Sequence, residues 1–391
     1  MYRNILVCLD NSDHANAGAD LAIALARSSD ARLAGCHVYA ARLHNSRFIE
    51  MEDGLPEAYR KEDALKNTRE VHDTLITRGL EIISDSYMAV FQARAKCSGL
   101  DAGGVSREGK NFEEIVKEAG EADYDLVVMG LMGLGRTGTS RIGSVCERVV
   151  RRVRKDVLVS QERVGDGRGI IAAIDGSPAS FGGLLTALEL SDVFGFEVEA
   201  ISAFDPVFHQ AAFRSIAGIL TEEAGRLFRF REQERLHDEI IDKGLARIYR
   251  GHLEAAERLA ASKGKKIKTA LLSGKASDEI IKYARKARPF LLVLGRTGAH
   301  AVEGLDIGST AENCLREVPC HVLVSARESA PVPVAPKDAP AWTKDALEIL
   351  SRIPKFASGI VKNMVEDAAR KEAVAEITPE FMRKVRKNIE G

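Results

Sequence analysis

Glycines and one serine recur in two copies of a pattern whose residue types suit phosphate binding. The pattern is Gly-x2-Gly-x9-Gly-Ser, and each member of the second copy lies 165 residues after its counterpart. A helix start presents unpaired N–H groups and about half a positive charge, and glycine lets a phosphate approach the backbone closely. We therefore predict two phosphate-binding turns. The alternative is that the serines are only helix caps and the glycines only turn residues. The members are Gly130, Gly133, Gly143 and Ser144, and then Gly295, Gly298, Gly308 and Ser309.

The same offset relates residues far from the glycines. Asp10 corresponds to Asp175, and the run 157–160 has the same four residues, Val-Leu-Val-Ser, as 322–325. A period of about one domain length indicates a duplicated globular domain rather than a solenoid of short repeats. We predict one domain over residues 1–162 and a second over 166–327.

Short apolar runs alternate with helical patterns in both copies. Unbroken apolar strands separated by helices are typical of a parallel sheet covered on both faces. We predict an α/β fold with two doubly wound parallel sheets of about five strands each. Ligands of such sheets bind beyond the carboxyl ends of the strands, where the winding direction reverses. The strand ends there carry Asp10, Asp175, Gly130 and Gly295.

Composition excludes several classes of protein. Acidic and basic residues nearly balance, with a formal net charge of −1, so we expect no nucleic-acid partner. No apolar run approaches the length that spans a bilayer. The six cysteines include no Cys-x-x-Cys pair, and we expect buried, reduced thiols, with Cys8, Cys36 and Cys97 in strands. These features predict a cytoplasmic protein without a membrane span.

With these residues, the chain over about 1–327 resembles the universal stress proteins, specifically their ATP-binding branch. The resemblance implies that ATP is the ligand, with Mg²⁺ left open. It implies that Asp10 and Asp175 meet the ribose or adenine side, that Val38 and Ala203 lie near the base, and that the glycines and serines surround the ribose and phosphates. The family often has a hydroxyl residue two positions after the serine, where this chain has Cys146 and Ala311. The missing hydroxyl removes a phosphate contact in both repeats, which implies weaker nucleotide binding or a preference for a shorter nucleotide.

Two other patterns invite chemistry. Gly104 to Asn111 is one residue short of a P-loop, because Asn111 replaces the hydroxyl residue that would hold magnesium. We interpret Gly109 and Gly274 as turns between a third strand and its helix.

Histidines also recur in register, His44 with His209 and His72 with His237. They fit a solvated helix face. Alternatively, the helical stretches that carry them face each other across a pseudo-twofold axis. A metal site from His44 and His72 would need a third ligand that the sequence does not single out, so we predict no metal.

No arrangement of residues reads as catalytic machinery. Phosphoryl transfer requires fixed magnesium ligands and a positioned base, and each copy offers one carboxylate. We expect a binding protein rather than an enzyme, with slow ATP hydrolysis or self-phosphorylation left open.

The C-terminal part of the chain differs from the rest. Prolines in 328–340 predict an extended linker, and 341–391 predicts three helices: Thr343 to Arg352, Phe356 to Lys371, and one capped by Thr378. Trp342-Thr-Lys-Asp-Ala, Ile353-Pro354 and Glu366-Asp-Ala-Ala-Arg resemble the helical C-terminal domain of the light-independent protochlorophyllide reductase B subunit. So small a unit buries little core alone. We expect it to dock on a protein partner.

Two functions follow. The first is a stress-response regulator that binds an adenine nucleotide at two sites in a pseudo-dimer, with homodimerisation left open. The second is a structural or regulatory subunit that joins a larger protein complex through residues 341–391, with a redox role of that complex left open.

Overall fold

The computed structural model describes residues 1–59, 61–135, 138–162, 167–206, 242–302, 304–330, 340–353 and 361–390 apart from 363, 367, 370, 371 and 373. The chain divides into two compact units, Met1–Pro331 and Val332–Gly391.

The described residues of the first unit form ten strands, five from each copy of the repeat. The strands of the first copy are β1 (Asn4–Cys8), β2 (Arg32–Tyr39), β3 (Ala102–Glu108), β4 (Leu126–Gly130) and β5 (Asp156–Ser160). Those of the second are β6 (Ile170–Ala173), β7 (Val198–Phe204), β8 (Lys268–Ser273), β9 (Leu291–Gly295) and β10 (His321–Ser325). The five-stranded doubly wound parallel arrangement predicted for each copy is confirmed.

Helices cover both faces of the sheet. In the first copy they are α1 (Asp13–Ser29), α2 (Ala41–Glu50), α3 (Glu62–Cys97), α4 (Asn111–Glu121) and α5 (Ser144–Arg152). In the second they are α6 (Pro178–Phe194), α7 (Asp242–Ser262), α8 (Ala276–Ala287) and α9 (Ser309–Glu317). As predicted, α5 and α9 begin at the serines of the glycine pattern.

The ten strands form one continuous sheet in the order β3-β2-β1-β4-β5-β10-β9-β6-β7-β8. Each half has the order 3-2-1-4-5, so the winding reverses between β1 and β4 and between β6 and β9. The halves meet where β5 and β10 pair antiparallel, with Leu158 opposite Leu323. The sequence did not indicate this edge-to-edge junction.

Side chains at equivalent positions reinforce the junction. The backbone N–H of Ala326 donates to Asp156 Oδ1 at 2.7 Å, and that of Gln161 donates to His321 Nδ1 at 3.1 Å. Asp156 and His321 occupy the same position in the two copies, and both are buried. Each repeat therefore satisfies one amide of the other with a different polar group.

Small apolar residues allow helix α1 to pack closely on the sheet. Small residues of α1 such as Ala19, Ala22 and Ala26 are almost fully buried against the strands, which lets the helix approach closely. Ser12 starts this helix, because its Oγ accepts the N–H of Ala15 at 3.2 Å. Asp30 ends it in the left-handed conformation, at a φ of 53°.

Two local predictions are settled by the fold. Cys97 is the exposed last residue of α3, so its placement in a strand and its burial were wrong; the other five cysteines are buried. Helix α3 continues to Cys97, with Ser98 as its C-cap, so no strand forms at this cysteine. Gly109 lies between β3 and α4 with a φ of 154°, as expected for a turn rather than a P-loop.

The second unit contains α10 (Lys344–Ser351) and α11 (Pro379–Glu390), close to the first and third helices expected there. Thr343 and Thr378 cap them through their hydroxyls. Residues 341–342 and 376–377 form a two-stranded parallel sheet that the sequence did not indicate. Much of the second predicted helix, and all of 331–339, lie outside the described residues. The unit has its own small core, which includes Ala346, Ile377 and Phe381.

Candidate functional site

A crevice of about 790 Å³ opens at the carboxyl edge of the first half of the sheet. It lies where the winding reverses, between the ends of β1 and β4, the expected position for a ligand in this type of fold. All six residues that the sequence singled out in the first repeat line this first crevice: Asp10, Val38, Gly130, Gly133, Gly143 and Ser144.

The Asp10 carboxylate is fixed by its own turn. Its Oδ1 accepts from the Ser12 amide at 3.0 Å and from the Ser12 hydroxyl at 2.6 Å. A Cβ at Gly133 would lie 2.4 Å from Oδ2 of Asp10. Glycine at this position therefore allows the carboxylate to sit beside the loop that follows β4.

Gly130 has a different role from Gly133. A Cβ there would lie 2.8 Å from the backbone N of Ala15, so the absence of a side chain lets the end of β4 pack against the start of α1. Gly295 repeats this role, because its Cβ would lie 2.7 Å from the carbonyl carbon of Ala179. The first glycine of each pattern thus has a packing reason independent of any ligand.

The third glycine closes the loop and starts the next helix. The N–H of Gly143 donates to the carbonyl of Leu131 at 2.8 Å, and Gly143 is the N-cap of α5. Glycine has no side chain with which to satisfy the first amides of that helix. In α1 the corresponding role is filled by Ser12. The start of α5 therefore offers amides that a bound anion could satisfy.

The second crevice, of about 260 Å³, occupies the same position in the second half of the sheet. Its lining includes every predicted residue of that repeat: Asp175, Ala203, Gly295, Gly298, Gly308 and Ser309. Here too the loop closes through the third glycine, whose N–H donates to the Arg296 carbonyl at 2.8 Å. Asp175 Oδ1 binds Ser177 as Asp10 binds Ser12, and Oδ2 also accepts the Ala299 amide at 2.9 Å.

Aromatic and imidazole side chains that the sequence reasoning missed complete the first crevice. His37 and Tyr87 both line it, and their rings pack edge to face at 5.1 Å. Burial lowers the pKa of His37, an effect that the nearby Asp10 carboxylate opposes. Among the described residues, the buried Nδ1 of His37 has no hydrogen-bond partner.

The second repeat has its imidazole at the other of these two positions, although Tyr249 and not His252 is the residue of α7 that lines the second crevice. Ser202 replaces His37 and His252 replaces Tyr87, so the imidazole lies on α7 instead of the second strand. Burial lowers the pKa of His252 as well, against the opposing charge of Asp175. Comparing the two copies position by position could have revealed this exchange.

Three buried cysteines, Cys8, Cys36 and Cys146, also line the first crevice. Burial raises the pKa of Cys8 well above its usual value and that of Cys36 and Cys146 to about 12. A thiol with so high a pKa is protonated at neutral pH and is a poor nucleophile. These thiols form part of the apolar wall of the first crevice and do not serve as nucleophiles.

His44 and His72 stack at 5.4 Å between ring centroids, and Phe48 stacks on His72 at 4.0 Å. Within the described parts of the chain, no three histidine, cysteine or acidic residues are grouped to hold a metal ion. His209 and His237 lie outside the described residues. Helix α3 packs on β2 and β3, and α7 packs on β7 and β8 at the opposite end of the sheet. Since the stretch that carries His209 and His237 is not described, the arrangement of these stretches across a pseudo-twofold axis stays a prediction.

Comparisons with known proteins agree with the geometry. The profile of the Universal stress protein family matches residues 1–161 and again 168–326, and that of the Proto-chlorophyllide reductase 57 kD subunit matches 342–390. The resemblance of the repeats to the universal stress proteins and that of the C-terminal part to the reductase subunit are confirmed. Among the described residues, we find no helix that combines the length and the apolar composition of a membrane span.

A universal stress protein of Thermus aquaticus is 31% identical over 165 residues, which are 41% of this chain and 98% of the relative. One from Methanocaldococcus jannaschii is 28% identical over 155 residues, 40% of this chain and 79% of the relative. The crystal structure of a universal stress protein from Archaeoglobus fulgidus covers 82% of this chain and 97% of its own, with a TM-score of 0.50 and 15% identity. The last comparison shows the fold.

Proposed function

Because this chain belongs to the universal stress protein family, we propose that it is a stress-response regulatory protein that binds an adenine nucleotide, ATP, in its crevices. The observation that carries the proposal is the start of α5, which has no side-chain cap and lies in one crevice with the Asp10 carboxylate. A polyphosphate satisfies the helix amides, while a carboxylate suits hydroxyl groups of a ribose.

Apart from Gly130, which has a packing role, the predicted residues of the first repeat then have distinct parts in binding. Val38 offers apolar contact to the base, and Asp10 accepts from the ribose. Gly133 and Gly143 lie beside the phosphates, and the Ser144 hydroxyl adds a donor. The equivalent residues of the second repeat take the same parts in the second crevice. A magnesium ion would be held chiefly by the phosphates, since each crevice offers one of the predicted carboxylates.

Isothermal titration of the full chain with ATP and magnesium tests this function. Gly143→Val should abolish binding in the first crevice, because its side chain projects into the phosphate path and its Cβ already lies 3.1 Å from the Leu131 carbonyl. Gly120→Val in α4 is the matched control, since this exposed residue does not line the crevice and a Cβ there meets nothing within 4 Å. Absence of ATP binding by the unmodified protein at millimolar concentration would refute the proposal.

A second candidate function rests on the C-terminal unit. Leu347 and Ile349 of α10 are exposed although the unit has its own core, and the profile match at 342–390 assigns it to a separate family of domains. In this alternative the unit docks the protein to a partner within a larger complex. Deletion of residues 341–391 should then release a copurifying partner while ATP binding is unchanged. If the same partner remains bound to the truncated chain, the docking role is wrong.

A further inference from the structure

The two crevices differ in how firmly their glycine loops are held. In the second repeat, Arg296 directly follows the first glycine and is 6% exposed. Its guanidinium crosses the junction and donates to the carbonyl of Val150 at 2.6 Å and to that of Lys155 at 3.3 Å. Both acceptors belong to the first repeat, so the start of this loop is fastened to the opposite half of the molecule.

Two further contacts hold the second loop. Asp306, near its end, pairs with Arg151 of the first repeat at 3.2 Å. In its middle, the Ala299 amide donates to Asp175 Oδ2 at 2.9 Å, which draws the loop onto the carboxylate proposed to bind ribose. A nucleotide entering here would have to replace that hydrogen bond before using the carboxylate.

The first loop lacks two of these three fastenings at the equivalent positions. Leu131 replaces Arg296, and no amide contact corresponds to Asp175–Ala299 among the described residues. Arg141 replaces Asp306 and also forms an ion pair across the junction, with Glu317 of the second repeat, but its side chain is 64% exposed. In the second repeat, Oδ2 of Asp175 accepts the Ala299 amide. Among the described residues, no amide donates in the same way to Oδ2 of Asp10, and the contacts from Ser12 are to Oδ1. The first carboxylate thus retains an oxygen for a ligand.

The formal charges of the two loops also favour binding of an anionic ligand at the first crevice. Between the first and third glycines, residues 131–142 include Arg136 and Arg141 and no acidic residue, a formal charge of +2. Residues 296–307 include Arg296, Glu303 and Asp306, a formal charge of −1. By this count of the sequence, the charge of the first loop favours an anionic polyphosphate more than the charge of the second does.

The volumes of the two crevices also favour ligand binding at the first. The first crevice, at about 790 Å³, falls within the roughly 300–1,000 Å³ typical of small-molecule sites. The second, at about 260 Å³, falls just below that range.

We propose that the two crevices are functionally distinct: the first is the high-affinity site for a nucleotide polyphosphate, and the second is held closed by Arg296, Asp306 and the Asp175–Ala299 hydrogen bond. This inference rests on the proposed function and specifies its stoichiometry. One ATP binds tightly per chain, and the second crevice accepts one only when its loop is released.

Titration of the full chain with ATP and magnesium, with native mass spectrometry for stoichiometry, tests the inference. We expect one tight ATP and a second that binds at least about tenfold more weakly, or about 1.4 kcal/mol. Arg296→Leu installs the residue of the first repeat, and Asp306→Asn removes the ion pair with Arg151 while keeping side-chain size. Each should raise affinity at the second crevice. Two equal sites in the unmodified protein, or no change in either variant, would overturn the inference.

Hydrogen exchange on the unmodified protein gives a test that needs no variant. One equivalent of ATP should slow exchange of amides in 131–146 and leave those in 296–311 unchanged. Protection of the second loop first, or of both together, contradicts the assignment. If no nucleotide binds under any condition, the proposed function fails and this inference fails with it, an outcome distinct from equal occupancy.

Discussion

The buried His321 at the junction of the repeats makes stability depend on pH in a calculable way. Burial lowers the pKa of His321 to about 4 from an ordinary value of 6.5. In the folded protein its Nδ1 accepts the Gln161 amide, and its ring packs against Phe290 at 5.0 Å. Protonation would end the hydrogen bond and place a charge inside the sheet.

The direction of the effect follows from proton binding. Between pH 6.5 and 4 the unfolded chain binds a proton at this histidine and the folded chain does not, so the free energy of unfolding falls as the pH falls. The contribution is fully present above about pH 6.5 and is lost progressively toward pH 4. A shift from 6.5 to about 4 corresponds in total to roughly 3 kcal/mol, of which about 2 kcal/mol is lost between about pH 7.5 and pH 5.

His321→Asn isolates this contribution from the other titrating groups. An asparagine amide oxygen can accept the Gln161 amide, much as the Asp156 carboxylate accepts the equivalent amide of Ala326. Urea unfolding of the variant and the unmodified chain at about pH 7.5 and pH 5 gives the difference directly. The variant should lose about 2 kcal/mol less than the unmodified chain over that interval. Equal losses in both proteins would show that His321 is not buried in neutral form.

Three further predictions concern packing, hydrogen bonding and thiol exposure. Gly295→Ala should lower the free energy of unfolding by about 1–3 kcal/mol, because its Cβ meets the backbone of Ala179; in the control, Gly79→Ala in α3, the new Cβ meets nothing and stability should rise by about 0.5–1 kcal/mol. Equal effects in urea unfolding would contradict this reasoning. Tyr2→Phe should cost about 1–3 kcal/mol in the same assay, since it removes the 2.6 Å hydrogen bond to the buried Asp156 carboxylate; an unchanged midpoint would refute it. A thiol reagent should modify one cysteine per native chain, Cys97, and all six in denaturant, whereas rapid modification of several native thiols would contradict the burial of the other five.

The duplicated fold could be predicted from sequence because its signals are local. Apolar strands, the residues that end them and the start of α5 at Ser144 all follow from short patterns. The predicted residues of each repeat line one crevice because they follow the carboxyl ends of parallel strands, which lie at the same edge of the sheet. Nothing comparable identified His37 or Tyr87, because their meeting depends on how α3 packs across the sheet.

The junction and the asymmetry of the crevices depend on contacts distant in sequence. Arg296 looks like an ordinary loop residue until the fold brings it to the carbonyls of Val150 and Lys155. The pairing of β5 with β10 likewise has no local signal, because both are short apolar strands that would suit either an edge or a centre. Placing Cys97 in a strand was wrong because the helix before it, of 36 residues, continues as far as Cys97.

The most direct test of nucleotide binding is a structure of the full chain with ATP and magnesium. We predict polyphosphate against the amides at the start of α5, beginning at Ser144, and the ribose within hydrogen-bonding distance of Asp10. Finding ATP absent from both crevices at saturating concentration, or bound elsewhere on the chain, would contradict the account.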